Sequence, residues 1–136
     1  HGLPVISMHE VPAQQVVHYG IMHGVWESAK EDEMRLDCIY EKPTVDYAQE
    51  NLAVRCKDGS RYFAVFGQYI LTEDVYKVLE KNIRENRLNR GEIQLTDALE
   101  EVRAASGMMG CRIKGKSYDV GLPQMYIETV REFGRI

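Results

Sequence analysis

The decisive stretch is Met34-Arg35-Leu36-Asp37-Cys38-Ile39-Tyr40-Glu41-Lys42-Pro43. Leu36, Cys38 and Tyr40 alternate with Arg35, Asp37, Ile39 and Glu41, which predicts a strand with one buried face. Pro43 ends that strand because it has no amide hydrogen for a ladder, and it biases Lys42 towards extended backbone. A carboxylate and a cation, Glu41 and Lys42, therefore stand side by side at the carboxyl end of a strand, where α/β sheets bind ligands. Neighbours on a strand face opposite ways, so both reach one ligand only if the strand end bends. Taken alone, such a pair is more often two surface charges facing water.

Working outward, Pro4 to Val11 reads as a strand and Pro12 to Gln15 as a polar connection. Val16 to Met22 reads as a second extended run, His23-Gly24 as a turn, and Val25-Trp26-Glu27 as the way out of it. A charged loop, Ser28 to Glu33, leads into the opening stretch. Beyond it, Val45 to Glu50 has the makings of a helical turn. Leu52 to Cys56 and Arg61 to Leu71 flank Asp58-Gly59, a hairpin signal. Gly67 marks a bulge or a close backbone approach to a ligand.

Thr72 is an N-cap candidate, with Glu73 and Asp74 in the first turn and Val75, Val78, Leu79 and Ile83 as the buried stripe. A second helix opens in Gly91 to Leu99 and ends near Ser106-Gly107. Glu92, Thr96 and Asp97 read first as capping residues. Met108 to Ile113 is a strand, Lys114 to Lys116 a turn, and Ser117 to Asp119 a short strand. Pro123 opens a last helix on which Met125, Tyr126, Thr129, Val130 and Phe133 share a face.

The chain has 136 residues and a net charge of -4. That length suits one domain, residues 1–136. The charge argues against a nucleic-acid polymer as partner, and no apolar run is long enough for a membrane span. Cys38, Cys56 and Cys111 are far apart, a pattern for a reducing, cytoplasmic setting and not for a disulfide or zinc framework. The four histidines, His1, His9, His18 and His23, have no ligand spacing. No nucleophile elbow, Walker loop or dinucleotide fingerprint occurs. Asp119, at a strand end beside Gly121, suits a hard cation such as Mg²⁺, but one carboxylate does not make a metal site.

The order of the pieces is more informative than any one of them. Tyr19-Gly20-Ile21, Tyr40-Glu41-Lys42-Pro43, Asn51-Leu52-Ala53, Gly67-Gln68-Tyr69-Ile70-Leu71, the Gly91–Ala98 run G-E-I-Q-L-T-D-A and the Gly115–Gly121 run G-K-S-Y-D-V-G follow one another. This succession resembles the carboxyl-terminal half of bacterial UTP–glucose-1-phosphate uridylyltransferases, within the sugar nucleotidyltransferase family, over nearly the whole chain. The resemblance implies a partial α/β domain, a mixed sheet flanked by helices related to Rossmann-like nucleotide-binding architecture. It implies formation of UDP-glucose and pyrophosphate from UTP and glucose 1-phosphate, with Mg²⁺ as cofactor. Glu41 would then accept hydrogen bonds from glucose hydroxyls, Lys42 would bind the sugar phosphate, Gly20 would offer its amide to the sugar, and Asp119 would be one of two aspartates on Mg²⁺.

Several departures qualify that expectation. The family's G-x-G-T-R-x-x-P loop and its other metal aspartate are absent, so the chain reads as the sugar-phosphate side of a longer enzyme, inactive alone. The insertion Arg55 to Phe66 is long, Gln68 replaces a common Arg, and Val120 follows Asp119 where Cys is common. The alternatives are a thymidylyltransferase of the same family, or a stand-alone sugar-phosphate-binding or oligomerisation module. Unpaired strand edges or an apolar face would favour a homo-oligomer.

Overall fold

The structure, a computed structural model, describes residues 2–89, 91–115, 118, 120–121 and 123–135. Strand β1 (Val5–Val11) leads into a short 3-10 helix (Ala13–His18), then β2 (Gly20–Trp26) and β3 (Glu33–Glu41). Helix α1 (Val45–Asn51), β4 (Val54–Cys56), β5 (Gly59–Ile70), α2 (Glu73–Arg84), α3 (Leu95–Ser106), β6 (Met109–Arg112) and α4 (Pro123–Phe133) follow. The six strands form a mixed sheet in the order β1-β6-β3-β2-β5-β4, flanked by helices, as expected for the α/β class. Only β1 and β6 run parallel among the described pairs.

Strand β5 also pairs with β1, so β1 is not left as an open edge. This corrects half of the expectation of unpaired edges: the three-residue β4 is the outermost strand of the described sheet. A short edge offers little to a second chain.

Two apolar clusters hold the layers together. Ile6, Met8, Met22, Met34, Leu36, Ile39 and Phe63 pack with Val75 of α2 and Leu99 and Val102 of α3. On the other side Val16, Ile21 and Ala64 pack with Ala48 and Leu52 around α1. The starts of α1 and α2 are capped differently. Thr44 Oγ1 accepts the Tyr47 amide at 3.2 Å and starts α1, whereas Thr72 occupies the N-cap of α2 without a side-chain cap bond.

Three readings of the amino-terminal half are corrected. Val16 to His18 is helical, because Val16 is buried in the second cluster by a turn closed from the Gln15 amide to the Pro12 carbonyl. His23-Gly24 is not a turn, since β2 runs straight through it. A Cβ at Gly24 would lie 2.2 Å from the Arg35 carbonyl oxygen, so glycine there serves close strand approach.

The third correction concerns β3. The pairs His23–Cys38 and Gly24–Leu36 leave Asp37 as the extra residue of a β-bulge. A bulge reverses the alternation. Met34 and Leu36 face the first cluster, and after the bulge Ile39, not Tyr40, faces it. Cys38 packs in the second cluster, and Tyr40 is exposed against Tyr47 of α1, ring centres 4.5 Å apart. Glu41 thus takes the inward parity that plain alternation would give to Tyr40.

Candidate functional site

A cleft of about 510 Å³ opens where the first residue of β2 meets the last of β3. Its volume falls within the range of small-molecule sites, roughly 300–1,000 Å³. Gly20, Glu41, His9, His18, Tyr19, Phe66, Gly67, Tyr69 and Thr96 line it, together with Tyr118, Val120 and Met125.

Gly20 and Glu41 are cross-strand partners. A Cβ on Gly20 would stand 3.1 Å from Glu41 Oε2 and 3.3 Å from a Val65 methyl. A side chain there would press on the carboxylate, so the absence of one gives Glu41 its room. The carboxylate is largely sheltered, 17% exposed. Thr96 Oγ1 donates to Glu41 Oε2 at 2.7 Å from the first turn of α3.

Lys42 departs from the extended backbone expected before proline. Its φ is 47°, in the left-handed region, which costs a non-glycine residue about 1–2 kcal/mol. The bend is held by the Lys42 amide, which donates to the Tyr19 carbonyl at 3.0 Å. It puts the ammonium 3.9 Å from Glu41 Oε1, although the two residues are adjacent on the chain. With Lys42 48% exposed, that ion pair is worth about 0–1 kcal/mol. A hydrogen bond to a charged group is worth about 1.5–3 kcal/mol, so Thr96 outweighs Lys42 in fixing the carboxylate.

The other walls follow from a second bulge. Two steps along β1, Ile6 to Met8, face four along β5, Tyr69 to Val65. Gly67 sits in the excess at φ 82°, as its interruption of the strand pattern suggested, and the Ser7 hydroxyl exchanges hydrogen bonds with the Gln68 backbone. Burial, and after it the negative charge of Glu41, push the Tyr69 phenol above its ordinary pKa. The phenol therefore stays neutral to higher pH than an ordinary tyrosine. Glu10, also at the cleft, is tied to Arg61 and, at 3.0 Å, to Arg112.

The sequence reading brings together Gly20, Glu41 and Lys42, and the structure places all three at one corner. Asp119 lies outside the described residues, as do Lys116 and Ser117 of the expected turn and strand. Among the described residues no group of three or more His, Cys, Asp or Glu side chains could hold a metal ion. Thr96 was missed as a site residue. The signal was its place in the Gly91–Ala98 run, whose Asp97 accepts from Asn89 Nδ2 at 3.0 Å while Thr96 turns to Glu41.

A mixed α/β sheet thus holds a sheltered carboxylate and a neighbouring ammonium beside a cleft of small-molecule size. The nucleotidyl transferase family model matches residues 4–134, and the chain belongs to that family. It is 32% identical over 125 residues to the UTP–glucose-1-phosphate uridylyltransferase of Pseudomonas aeruginosa, covering 92% of this chain and 39% of that protein. It is 33% identical to a putative UTP–glucose-1-phosphate uridylyltransferase of Methanocaldococcus jannaschii, over 98% of this chain and 42% of the relative. A crystal structure of UDP-glucose pyrophosphorylase complexed with UDP-glucose superposes with TM-score 0.76 at 28% identity, covering 98% of this chain and 44% of the other. The chain thus spans about two-fifths of the length of the proteins it matches. These matches establish the family and the partial extent; the expectation of a carboxyl-terminal half is not borne out by them. Among the described residues no helix is long and apolar enough to cross a membrane.

Proposed function

We propose that the parent protein is a UTP–glucose-1-phosphate uridylyltransferase and that this chain is one partial domain of it, supplying the sugar-phosphate side. One observation carries the reading: a sheltered carboxylate faces a cleft of small-molecule size, with a glycine opposite and an ammonium 3.9 Å away. In this reading Glu41 accepts from the glucose hydroxyls, which leaves its charge satisfied when water is expelled. Lys42 draws in the anionic phosphate, and the Gly20 backbone approaches the sugar closely because no side chain intervenes.

A phosphate oxygen of glucose 1-phosphate attacks the α-phosphorus of UTP, a new P–O bond forms, and the bond to the β-phosphate oxygen breaks. Pyrophosphate leaves with that electron pair. Such transfers depend on positioning and on neutralising phosphate charge, and they require no covalent protein nucleophile. Mg²⁺, with Asp119 as one ligand, would supply part of that neutralisation when bound. The G-x-G-T-R-x-x-P nucleotide loop is not in this chain, so the choice between uridine and thymidine is made elsewhere in the parent.

The test is a pyrophosphate-release assay of the intact parent against a panel of nucleoside triphosphates and sugar 1-phosphates, with this chain alone as control. UTP and glucose 1-phosphate are expected as the best pair, with no release from the chain alone. In the parent, Lys42→Ala should raise KM for glucose 1-phosphate and lower kcat, and Asp119→Ala should nearly abolish Mg²⁺-dependent turnover. A parent inert with every pair would refute the reading, as would release by the isolated chain for its dependence on a missing partner region.

A further inference from the structure

We infer that α3 sets the direction of the Glu41 carboxylate, with Thr96 and Glu100, one helical turn apart, as positioning residues. This rests on the site reading above. Glu41 faces the cleft only because the bulge at Asp37 reverses the parity of β3. The β2 ladder continues past the bulge on one edge, but on the other β6 pairs with β3 only from Glu33 to Arg35, followed by the Leu36 amide donating to the Met108 carbonyl at 3.0 Å. Further along, the Ile39 amide donates instead to Glu100 Oε2 at 3.0 Å. Glu100 is itself fixed by Arg103, whose Nε and Nη2 each donate to it at 2.8 Å. That paired geometry is the strong form of the contact.

Thr96 completes the arrangement one turn earlier, since residues four apart share a helix face. Its hydroxyl donates to the carboxylate oxygen that also borders Gly20. Helix α3 thus grips β3 twice, at a backbone amide before the functional carboxylate and at the carboxylate itself. With Oε2 engaged by Thr96, Oε1 is the oxygen next to the Lys42 ammonium. A sugar hydroxyl donating to the carboxylate therefore meets an oxygen whose direction is already set, and less freedom is lost on binding.

The experiment compares Thr96→Val, Thr96→Ala and Thr96→Ser in the intact parent. Val and Ala should each raise KM for glucose 1-phosphate by roughly tenfold, the scale of one hydrogen bond to a charged group, with KM for UTP unchanged. Ser, which keeps the hydroxyl, should restore the wild-type value. Equal rises for both substrates, or Ser behaving like Val, would overturn the inference. Crystal structures of the ligand-free variants decide it without any activity. Rotation of the Glu41 carboxylate away from the cleft in Val or Ala supports the inference, and an unmoved carboxylate in either overturns it. A parent that turns over no sugar phosphate would remove the site reading and leave this structural readout standing.

Discussion

The corner built from β2, β3 and α3 differs in kind from helix α4. In the corner, Ile21, Met22, Leu36, Ile39, Ala98 and Leu99 are all buried, and a backbone carbonyl fills the space a Cβ would need at Gly24. Helix α4 has no buried residue among those described, and Tyr126, Ile127, Val130 and Phe133 are each more than half exposed. Both stretches are amphipathic in sequence. Periodicity therefore announces a face that wants covering, and only tertiary packing says whether this chain covers it.

The largest effect should come from Gly24→Ala. The new methyl would meet the Arg35 carbonyl oxygen at 2.2 Å, and neither strand can yield without parting the β2–β3 ladder. Destabilisation of about 3 kcal/mol or more is expected, read as a lower urea midpoint at unchanged slope. A midpoint equal to wild type would show that the corner gives way easily, and the contrast with α4 would disappear.

The paired change on α4, Tyr126→Ser with Val130→Ser, should alter stability by about 0.5 kcal/mol or less, because both side chains face solvent. It should instead reduce self-association. We expect the wild-type chain to sediment as an oligomer at high concentration and the double variant as a monomer. A wild-type chain that stays monomeric would remove the homo-oligomer from the proposal.

The parts legible in the sequence were those governed by near neighbours. Asp58 ahead of Gly59 gives the β4–β5 hairpin, and the helical turn expected at Val45 to Glu50 is α1. Gly67 was readable as a bulge or a close backbone approach, because an isolated glycine in an apolar run has few other uses, and the structure makes it the bulge. The Asp37 bulge was not readable, since Arg35, Asp37 and Glu41 keep a regular polar spacing whether or not one residue is extra. Consequently Tyr40 was assigned the face that Ile39 and Glu41 occupy. Pro43 argued for extended backbone at Lys42, and the hydrogen bond from the Lys42 amide to the Tyr19 carbonyl together with the Glu41 contact outweighed it. The Thr96–Glu41 bond joins residues 55 apart in sequence, a distance over which no local rule applies.

The smallest effect concerns thiol reactivity, and it sharpens the comparison from inside the corner. Burial pushes the Cys38 thiol above its ordinary pKa, and the nearby Glu100 and Asp37 carboxylates push it further, with Arg103 opposing. Burial is also the main cause of the upward shift at Cys56. The thiolate is the reactive form, so at a given pH both sites hold less of it, and their labelling rates should climb only at higher pH than an ordinary thiol's. Cys111 is exposed on β6. Alkylation followed by mass spectrometry between pH 7 and 9 should therefore modify Cys111 first and Cys38 and Cys56 slowly. Glu100→Gln removes one of the charges that raise the Cys38 pKa and loosens the grip on Ile39, so Cys38 should label faster in that variant while Cys111 is unaffected. If Cys38 labels at the Cys111 rate in the wild-type chain, the corner opens far more readily than its buried contacts imply, and Glu41 would lose the fixed direction on which its proposed role depends.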